Sequence, residues 1–470
     1  MKLSRRFFLG QAAAVSAGFA SLQTLLAPGS ARAATGSVAP VSAQDPTALL
    51  GDLLPDPHRI FDLPKGFTFR VISRMGDKMS DNLLVPGLPD GMAAFPGPEG
   101  KTIIVCNHEL SADDTRRGPT AGADGLRETF AAIKAYDTRD GVPCPGGTTT
   151  MLYNQKTGVM EKQFLSLAGT LRNCAGGPTP WGSWVTCEET VVRAGDAGLK
   201  QDHGYNFEVP ATLDGPADPI ALKAMGRFNH EAIAVDPNSG VVYQTEDAHE
   251  GLIYRFIPNV PGELHRGGRL QAMVIIDEAS ADTRNWAVAD HYKIGERYKV
   301  RWIDMDDVEA PENDLRLRGF AAGAARFARG EGMWYGNGEV YWACTNGGIK
   351  KKGQIWRYTP SPAEATAGEV DQPGEVELFV EPNDGAIVDN ADNLCVAPWG
   401  DVVLAEDGAG PDQFILGVTQ KGQVYRIGRN AFSRSELAGV CFSPDGSTLF
   451  VNIQHDGITL AITGPWPGRA

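Results

Sequence analysis

The stretch Asp392-Asn393-Leu394-Cys395-Val396-Ala397-Pro398-Trp399-Gly400-Asp401-Val402-Val403-Leu404-Ala405-Glu406-Asp407 holds the pattern on which the whole chain is built. A short apolar run is closed by a Pro-Trp-Gly turn, and a second apolar run rich in β-branched residues ends in two acids. Apolar runs of this length, bounded by Pro and Gly, are the signature of a strand–turn–strand hairpin. The plan recurs in both directions. Downstream it reads Ala438-Gly439-Val440-Cys441-Phe442-Ser443-Pro444-Asp445-Gly446 and then Leu449-Phe450-Val451-Asn452-Ile453-Gln454-His455. Upstream the turn runs return as Gly332-Met333-Trp334-Tyr335-Gly336, Ala232-Ile233-Ala234-Val235-Asp236-Pro237, Ala175-Gly176-Gly177-Pro178 and Gly91-Met92-Ala93-Ala94-Phe95-Pro96. Each is followed by an apolar strand with a polar end: Val340 to Asn346, Val241 to Asp247, Ser183 to Glu189 and Ile103 to Glu109.

Six copies of strand, tight turn, strand and loop predict an all-β fold, a six-bladed β-propeller with inserted loops and short helices. Uneven spacing places the insertions near 111–147 and 260–325. A third strand is expected in Gly251-Leu252-Ile253-Tyr254-Arg255-Phe256, Gly353-Gln354-Ile355-Trp356-Arg357-Tyr358 and Gly422-Gln423-Val424-Tyr425-Arg426-Ile427. No linker-like composition separates the copies, so residues 58–470 are expected to be one propeller domain after a flexible lead-in at 34–57.

The remaining segment, 1–33, is expected to be an export signal. Ser4-Arg5-Arg6-Phe7-Phe8-Leu9 places twin arginines before an apolar stretch, and Ala31-Arg32-Ala33 supplies a small-x-small cleavage pattern. Ser16, Ser21, Gln23 and Thr24 interrupt that stretch, and no later run is long enough to span a bilayer, so no stable membrane anchor is expected. The twin-arginine export machinery is the implied partner, and the destination is the periplasm or beyond.

Composition narrows the function. The chain has 470 residues, 42% hydrophobic and 21% charged, which excludes a disordered protein. A net charge of −15 repels polyanions and argues against nucleic-acid binding. The signal holds Lys2, Arg5, Arg6 and Arg32 and no acid, so the rest of the chain stands at −19. Seven cysteines, an odd number with no CxxC pair, do not form a disulfide framework and read as small buried residues.

The repeat gives part of the acidic surplus an address. In a hairpin, the residue before the first strand and the residue after the second lie at the same end. The first position holds Asp90, Cys174, Glu231, Glu331, Asp392 and Glu436. The second holds Glu109, Glu188-Glu189, Glu246-Asp247, Asn346, Glu406-Asp407 and Gln454-His455-Asp456. Blades converge on an axis, so these groups should crowd one mouth of the channel. Carboxylates that close cannot all stay ionised without counter-ions, and bound cations are the simplest remedy. Carboxylate and amide oxygens suit Ca²⁺, whereas a thiolate suits a transition metal. Cys174 occupies a register where other copies carry acids, so its thiolate could be stabilised by a metal or bridge two. Arg329, two residues before Glu331, offers either a fork for an anion such as phosphate or a salt bridge to its neighbours. The run Lys350-Lys351-Lys352 reads as a solvated loop.

Several of these motifs resemble one family. They are the twin-arginine signal, Asn107-His108-Glu109, Asn173-Cys174-Ala175-Gly176-Gly177 with Thr179-Pro180-Trp181-Gly182 and Cys187-Glu188-Glu189, Gly226-Arg227-Phe228-Asn229-His230-Glu231, Arg329-Gly330-Glu331-Gly332, Asp392-Asn393-Leu394 and the ending Phe442 to His455. Together they resemble the PhoX family of bacterial alkaline phosphatases. The resemblance implies a propeller whose mouth holds two ferric ions (Fe³⁺) and calcium ions (Ca²⁺), with Cys174 bridging the irons. It makes Glu109, Glu188, Glu189, Glu231, Glu246, Asp247, Glu331 and Asp392 candidate ligands, Arg329 and Glu331 the catalytic pair, and Arg329 with Asn346 the phosphate-binding residues. It further implies hydrolysis of small-molecule phosphate monoesters by an oxo or hydroxide nucleophile held on metal, in the periplasm or outside the cell. Two other functions fit the acid ring: a Ca²⁺-dependent lactonase or esterase, and a non-catalytic binding propeller stapled by calcium.

Overall fold

The repeated apolar runs form antiparallel strands buried on both faces, and the Pro- and Gly-containing segments between them turn the chain back. The computed structural model describes residues 49–468; the export segment expected at 1–33 and most of the lead-in lie outside the described residues. The strands make six meanders. Blade 1 runs Pro89–Pro96, Thr102–His108, Gly146–Asn154 and Val159–Thr170. Blade 2 has three strands, Asn173–Pro178, Ser183–Glu188 and Asn206–Pro210. Blade 3 comprises His230–Val235, Val242–Glu246, Gly251–Pro258 and Gly268–Ile275. Blade 4 comprises Gly330–Gly336, Glu339–Cys344, Gln354–Thr359 and Glu375–Val380. Blade 5 comprises Ala391–Val396, Val402–Glu406, Phe414–Val418 and Val424–Asn430.

Blade 6 closes the ring. Its strands Leu437–Phe442, Thr448–Ile453 and Ile458–Thr463 are completed by Thr68–Arg74 from the other end of the chain. The six first strands pack in chain order around the axis, and the last lies against the first. A separate strand, Arg297–Asp304, hydrogen-bonds to the outer edges of both blade 3 and blade 4, fusing them into one ten-stranded sheet. The apolar core lies in layers between neighbouring blades, as in the cluster of Ile233, Tyr254, Phe256, Val185 and Phe228.

First strands approach one another closely at the axis. A Cβ on Gly177 would sit 2.0 Å from the carbonyl oxygen of Ile233 in the next blade, and one on Gly332 would meet Leu394 N at 2.7 Å. Only glycine fits at such contacts.

The expected all-β propeller is therefore present, with two differences in detail. The run Gly422 to Ile427 forms the fourth strand of blade 5, because Phe414–Val418 takes the third place. The described end of the lead-in is tied down: Leu53–Leu54 pairs with Phe61–Pro64, which adds to the outer edge of blade 5. The two insertions carry the short helices Asp124–Ala131 and Leu315–Ala321. No described helix is long and apolar enough to cross a membrane. All seven cysteines are free and buried.

Candidate metal centre

Each first strand breaks register against its second strand at the same place. In blade 1 the pairs Pro89↔His108 and Met92↔Cys106 enclose two residues, Asp90 and Gly91, opposite the single Asn107. The same step falls between Asn173 and Gly176, His230 and Ile233, Gly330 and Met333, Ala391 and Leu394, and Ala438 and Cys441. An extra residue of this kind is a β-bulge, which bends the strand and re-aims a side chain. The residue thus re-aimed is Asp90, Cys174, Glu231, Glu331 and Asp392 in blades 1 to 5. In blade 6 it is Gly439, held at φ 67. Glu436 lies three residues earlier and reaches the same mouth from the strand's approach.

The ends of the second strands divide adjacent acids between two environments. Successive residues of an extended chain point to opposite sides. Glu188 turns into its blade, where it accepts the backbone N–H of Leu171 (2.9 Å) and Gly204 (2.9 Å) and meets His203 Nδ1 at 2.6 Å. Glu246 turns inward likewise, accepting the Tyr254 hydroxyl at 2.9 Å with Arg316 3.7 Å away, and burial pushes its carboxyl up to about 7. These two expected ligands do not join the mouth; their partners Glu189 and Asp247 do. Asn346 is also displaced. The pairing Gly330↔Cys344 puts Thr345, not Asn346, at the register of Glu189 and Asp247. Asn346 sits one residue further out, its Nδ2 3.2 Å from His249 Nδ1.

What gathers at the mouth is a continuous row of nine groups. Asp90, Glu109 and Cys174 form one triad with ligand atoms within 4.8 Å of one another, and Cys174, Glu189 and Glu231 form the next. Glu231, Glu331 and Asp392 follow, then Asp392, Asp407 and Glu436. Neighbouring triads share Cys174, Glu231 or Asp392. Asp90, Asp407 and Glu436 extend the candidate set beyond the residues that the resemblance implied. Three members of the row are fixed from behind. Asn107 donates to the carbonyl oxygens of Cys174 (3.0 Å) and Ala175 (2.7 Å), Thr245 to that of Glu331 (2.6 Å) and Asn452 to that of Asp90 (2.7 Å). These amide and hydroxyl ties between blades carry no sequence signal beyond a polar residue near a strand end.

The electrostatics of the row are those of a site built for cations. Glu231 is fully buried, and neither of its carboxylate oxygens has a hydrogen-bond partner. Burial, then Glu331, Glu189, Asp392 and Asp90, hold its carboxyl well above the ordinary range. The Cys174 thiol is raised by burial and then by Asp90 and Glu231. Burial and Asp407 push Asp392 up to about 7, and Glu436 reaches about 11 from burial and the same neighbour. One Asp90 oxygen also lacks a partner, although Gln454 donates to the other at 2.6 Å. An orphaned buried carboxylate is costly, and a cation offsets that cost directly. Hard oxygen donors with a single sulfur at their centre fit oxygen-seeking cations together with a metal that accepts thiolate.

Two arginines complete the mouth. Arg329 donates from Nε and Nη2 to the two oxygens of Asp247 (2.7 and 2.6 Å) and lies 3.1 Å from Glu331. Arg172 bridges Glu109 (2.7 Å) and Glu189. Both stand two residues before a bulged ligand, and both hold left-handed backbone, at φ 53 and φ 46. Such backbone costs about 1 kcal/mol or more and persists where the surroundings impose it.

Known proteins share this fold. The family profile described as alkaline phosphatase PhoX matches residues 49–161 and 133–457. Among solved structures, the chain is similar to Pseudomonas fluorescens PhoX in complex with vanadate, a transition-state analogue. Identity there is 18%, with a TM-score of 0.63 over 86% of this chain and 96% of that one, which establishes the shared fold. It is also similar to XC5397 of Xanthomonas campestris, a gluconolactonase, at 12% identity and a TM-score of 0.41 over 88% of this chain and 98% of that one, too loose a likeness to bear on activity. No curated protein matches. Because the profile spans nearly all the described residues, from the strand at Leu53 to the last blade, the chain belongs to the PhoX family of alkaline phosphatases.

Proposed function

We propose that this chain is an exported phosphatase that hydrolyses phosphate monoesters at the propeller mouth with calcium and ferric ions as its cofactors. The observation that carries the reading is Glu231: a carboxylate buried at the centre of a row of nine ligand groups, with both oxygens unpartnered. Asp90, Glu109, Glu189, Glu331, Asp392, Asp407 and Glu436 would hold oxygen-seeking cations beside it, and Cys174, shared by two triads, would offer them its sulfur. Bound there, the cations neutralise phosphate charge and supply a Lewis acid for transfer of the phosphoryl group to water.

The chain's own residues then have distinct tasks. Arg329 presents a planar fork whose geometry matches two phosphate oxygens. Burial opposes its charge, but Glu331 and Asp247 hold the guanidinium protonated and aimed. Glu331 fixes Arg329 through its 3.1 Å contact and would hold a cation together with Glu231 and Asp392. Arg172, its counterpart two residues before Cys174, flanks the opposite side of the row. The twin-arginine segment, with a fold that must close around its metals, supports export in a folded state to the periplasm or beyond.

The test is elemental analysis of natively exported protein together with p-nitrophenyl phosphate turnover, with and without chelator. Iron and calcium with chelator-sensitive turnover are expected; calcium alone with no turnover would sink the reading.

A further inference from the structure

The rim beside Arg329 carries more positive charge than one phosphate group calls for. Arg329 N donates to the carbonyl oxygen of Ala248 (2.9 Å), and Thr345 N donates to that of Arg329 (3.1 Å). The loops that follow the second strands of blades 3 and 4 therefore border the phosphate-binding arginine. They carry His249, Lys350 and Lys351, all exposed. The insertion after blade 3 closes the cluster. Arg284 Nη1 donates to the carbonyl oxygen of His249 (3.1 Å), Gly348 N donates to that of Arg284 (2.9 Å), and Trp286 Nε1 donates to that of Asn346 (2.7 Å). Lys351 Nζ lies 4.4 Å from the centre of the Trp286 ring and the Arg284 guanidinium 4.2 Å from it. Asn346 Oδ1 is buried without a partner in the same place.

Charge compensation at this rim is incomplete. Arg284 is matched by both oxygens of Asp282, and Lys352 by Asp389. Lys350, Lys351 and His249 have no carboxylate partner among the described residues. Lys351 also holds left-handed backbone at φ 53. In a chain of net charge −15, with acids lining the mouth just below, unpaired cations at the rim favour an anion arriving from solvent. The first strands pack closely at the axis beneath the row, where a Cβ on Gly177 would meet the Ile233 carbonyl oxygen at 2.0 Å, so an ester held by Arg329 carries its alcohol portion on the solvent side, where this rim stands.

We infer that the rim formed by His249, Lys350, Lys351 and Arg284 binds a second anionic group of the substrate. The preferred esters are then those whose alcohol portion bears a further phosphate or carboxylate. This inference rests on the phosphatase reading of the mouth.

The test compares metal-loaded full-length protein on alkyl monophosphates and on 1,n-alkanediol bisphosphates of the same chain lengths. At least one bisphosphate is expected to show kcat/KM about five- to tenfold above its monophosphate, an advantage that shrinks with added salt. The double variant Lys350→Glu with Lys351→Glu should erase that advantage and leave kcat on phenyl phosphate unchanged. Equal use of both esters by the wild type, or an advantage untouched by charge reversal, overturns the rim site while the phosphatase reading stands. No turnover of either ester by the metal-loaded wild type would strike the phosphatase reading instead. Calorimetry with a methylene-bridged bisphosphonate then decides the rim: binding that charge reversal abolishes supports it, and equal binding by both proteins overturns it.

Discussion

Glu188, Glu246 and Glu406 stand immediately before Glu189, Asp247 and Asp407 in the chain, yet the two sets occupy opposite environments. The first set faces into the blades, where each carboxylate is satisfied by its own loop. Glu406, for example, accepts Asp389 N at 2.8 Å and Phe414 N at 3.0 Å, and burial raises it to about 8. The second set faces the mouth, among acids that repel one another and around a Glu231 with no partner at all. The difference shows that acid content alone does not make a metal site. The inward acids shape the loops, and the outward acids demand a cation.

The strongest way to break that distinction is Glu231→Gln. The amide removes the central charge with little change of volume, so metal content should fall and turnover should drop about a thousandfold. The metal-free variant should unfold at the same temperature as metal-free wild type or higher, since one fewer buried carboxyl is left to be compensated. Wild-type metal content in this variant would remove Glu231 from the site. Glu188→Gln should do the reverse. It weakens the contacts with His203 and two backbone N–H groups, at a cost of about 3 kcal/mol in stability, and leaves the metal count unchanged. Metal loss there would return Glu188 to the mouth.

Cys174→Ser separates the phosphatase from its rivals. A shorter, harder hydroxyl at the junction of two triads should lose iron, keep calcium, and lower phosphatase turnover about a hundredfold. A calcium-only lactonase or binding propeller would keep its full metal content in that variant.

The contrast between adjacent acids also marks what the sequence could carry. Repeated turns and apolar runs specify the blades, because a short continuous apolar run bounded by turn residues reads as a strand buried on both faces. The candidate first-strand ligands were legible for the same reason: Asp90, Cys174, Glu231, Glu331 and Asp392 share one register in the repeat. The choice between Glu188 and Glu189 was not, since a doublet of acids at a strand end leaves the side open until the register is fixed. The bulge that re-aims each ligand was hidden too. One inserted residue looks like ordinary spacing, and only the small residues that follow, such as Gly91, Ala175 and Gly332, hint at it. Blade 6 shows the consequence: Gly439 occupies the ligand register and Glu436 serves from outside it. Asn346, one residue past its expected place, belongs to the rim rather than the row.

The smallest expected effect concerns the strained corners that precede two of the ligands. Arg172 holds φ 46 while its guanidinium spans Glu109 and Glu189, which lie in neighbouring triads. If the surroundings impose that backbone, replacing the side chain separates its charge from its conformation. Arg172→Ala and Arg172→Gly both remove the guanidinium, so both should weaken inhibition by inorganic phosphate to the same degree. They should differ in stability. Glycine adopts a positive φ freely, whereas alanine pays for it, so the glycine variant should be the more stable by about 1 kcal/mol in denaturant unfolding, less what its freer unfolded chain takes back. The same pair of substitutions at Arg329, held at φ 53, should reproduce that gap. An alanine variant as stable as the glycine one would mean that the corner relaxes once the arginine is gone. The ion pair with the acids, rather than the bulged strand, would then be what holds the backbone left-handed.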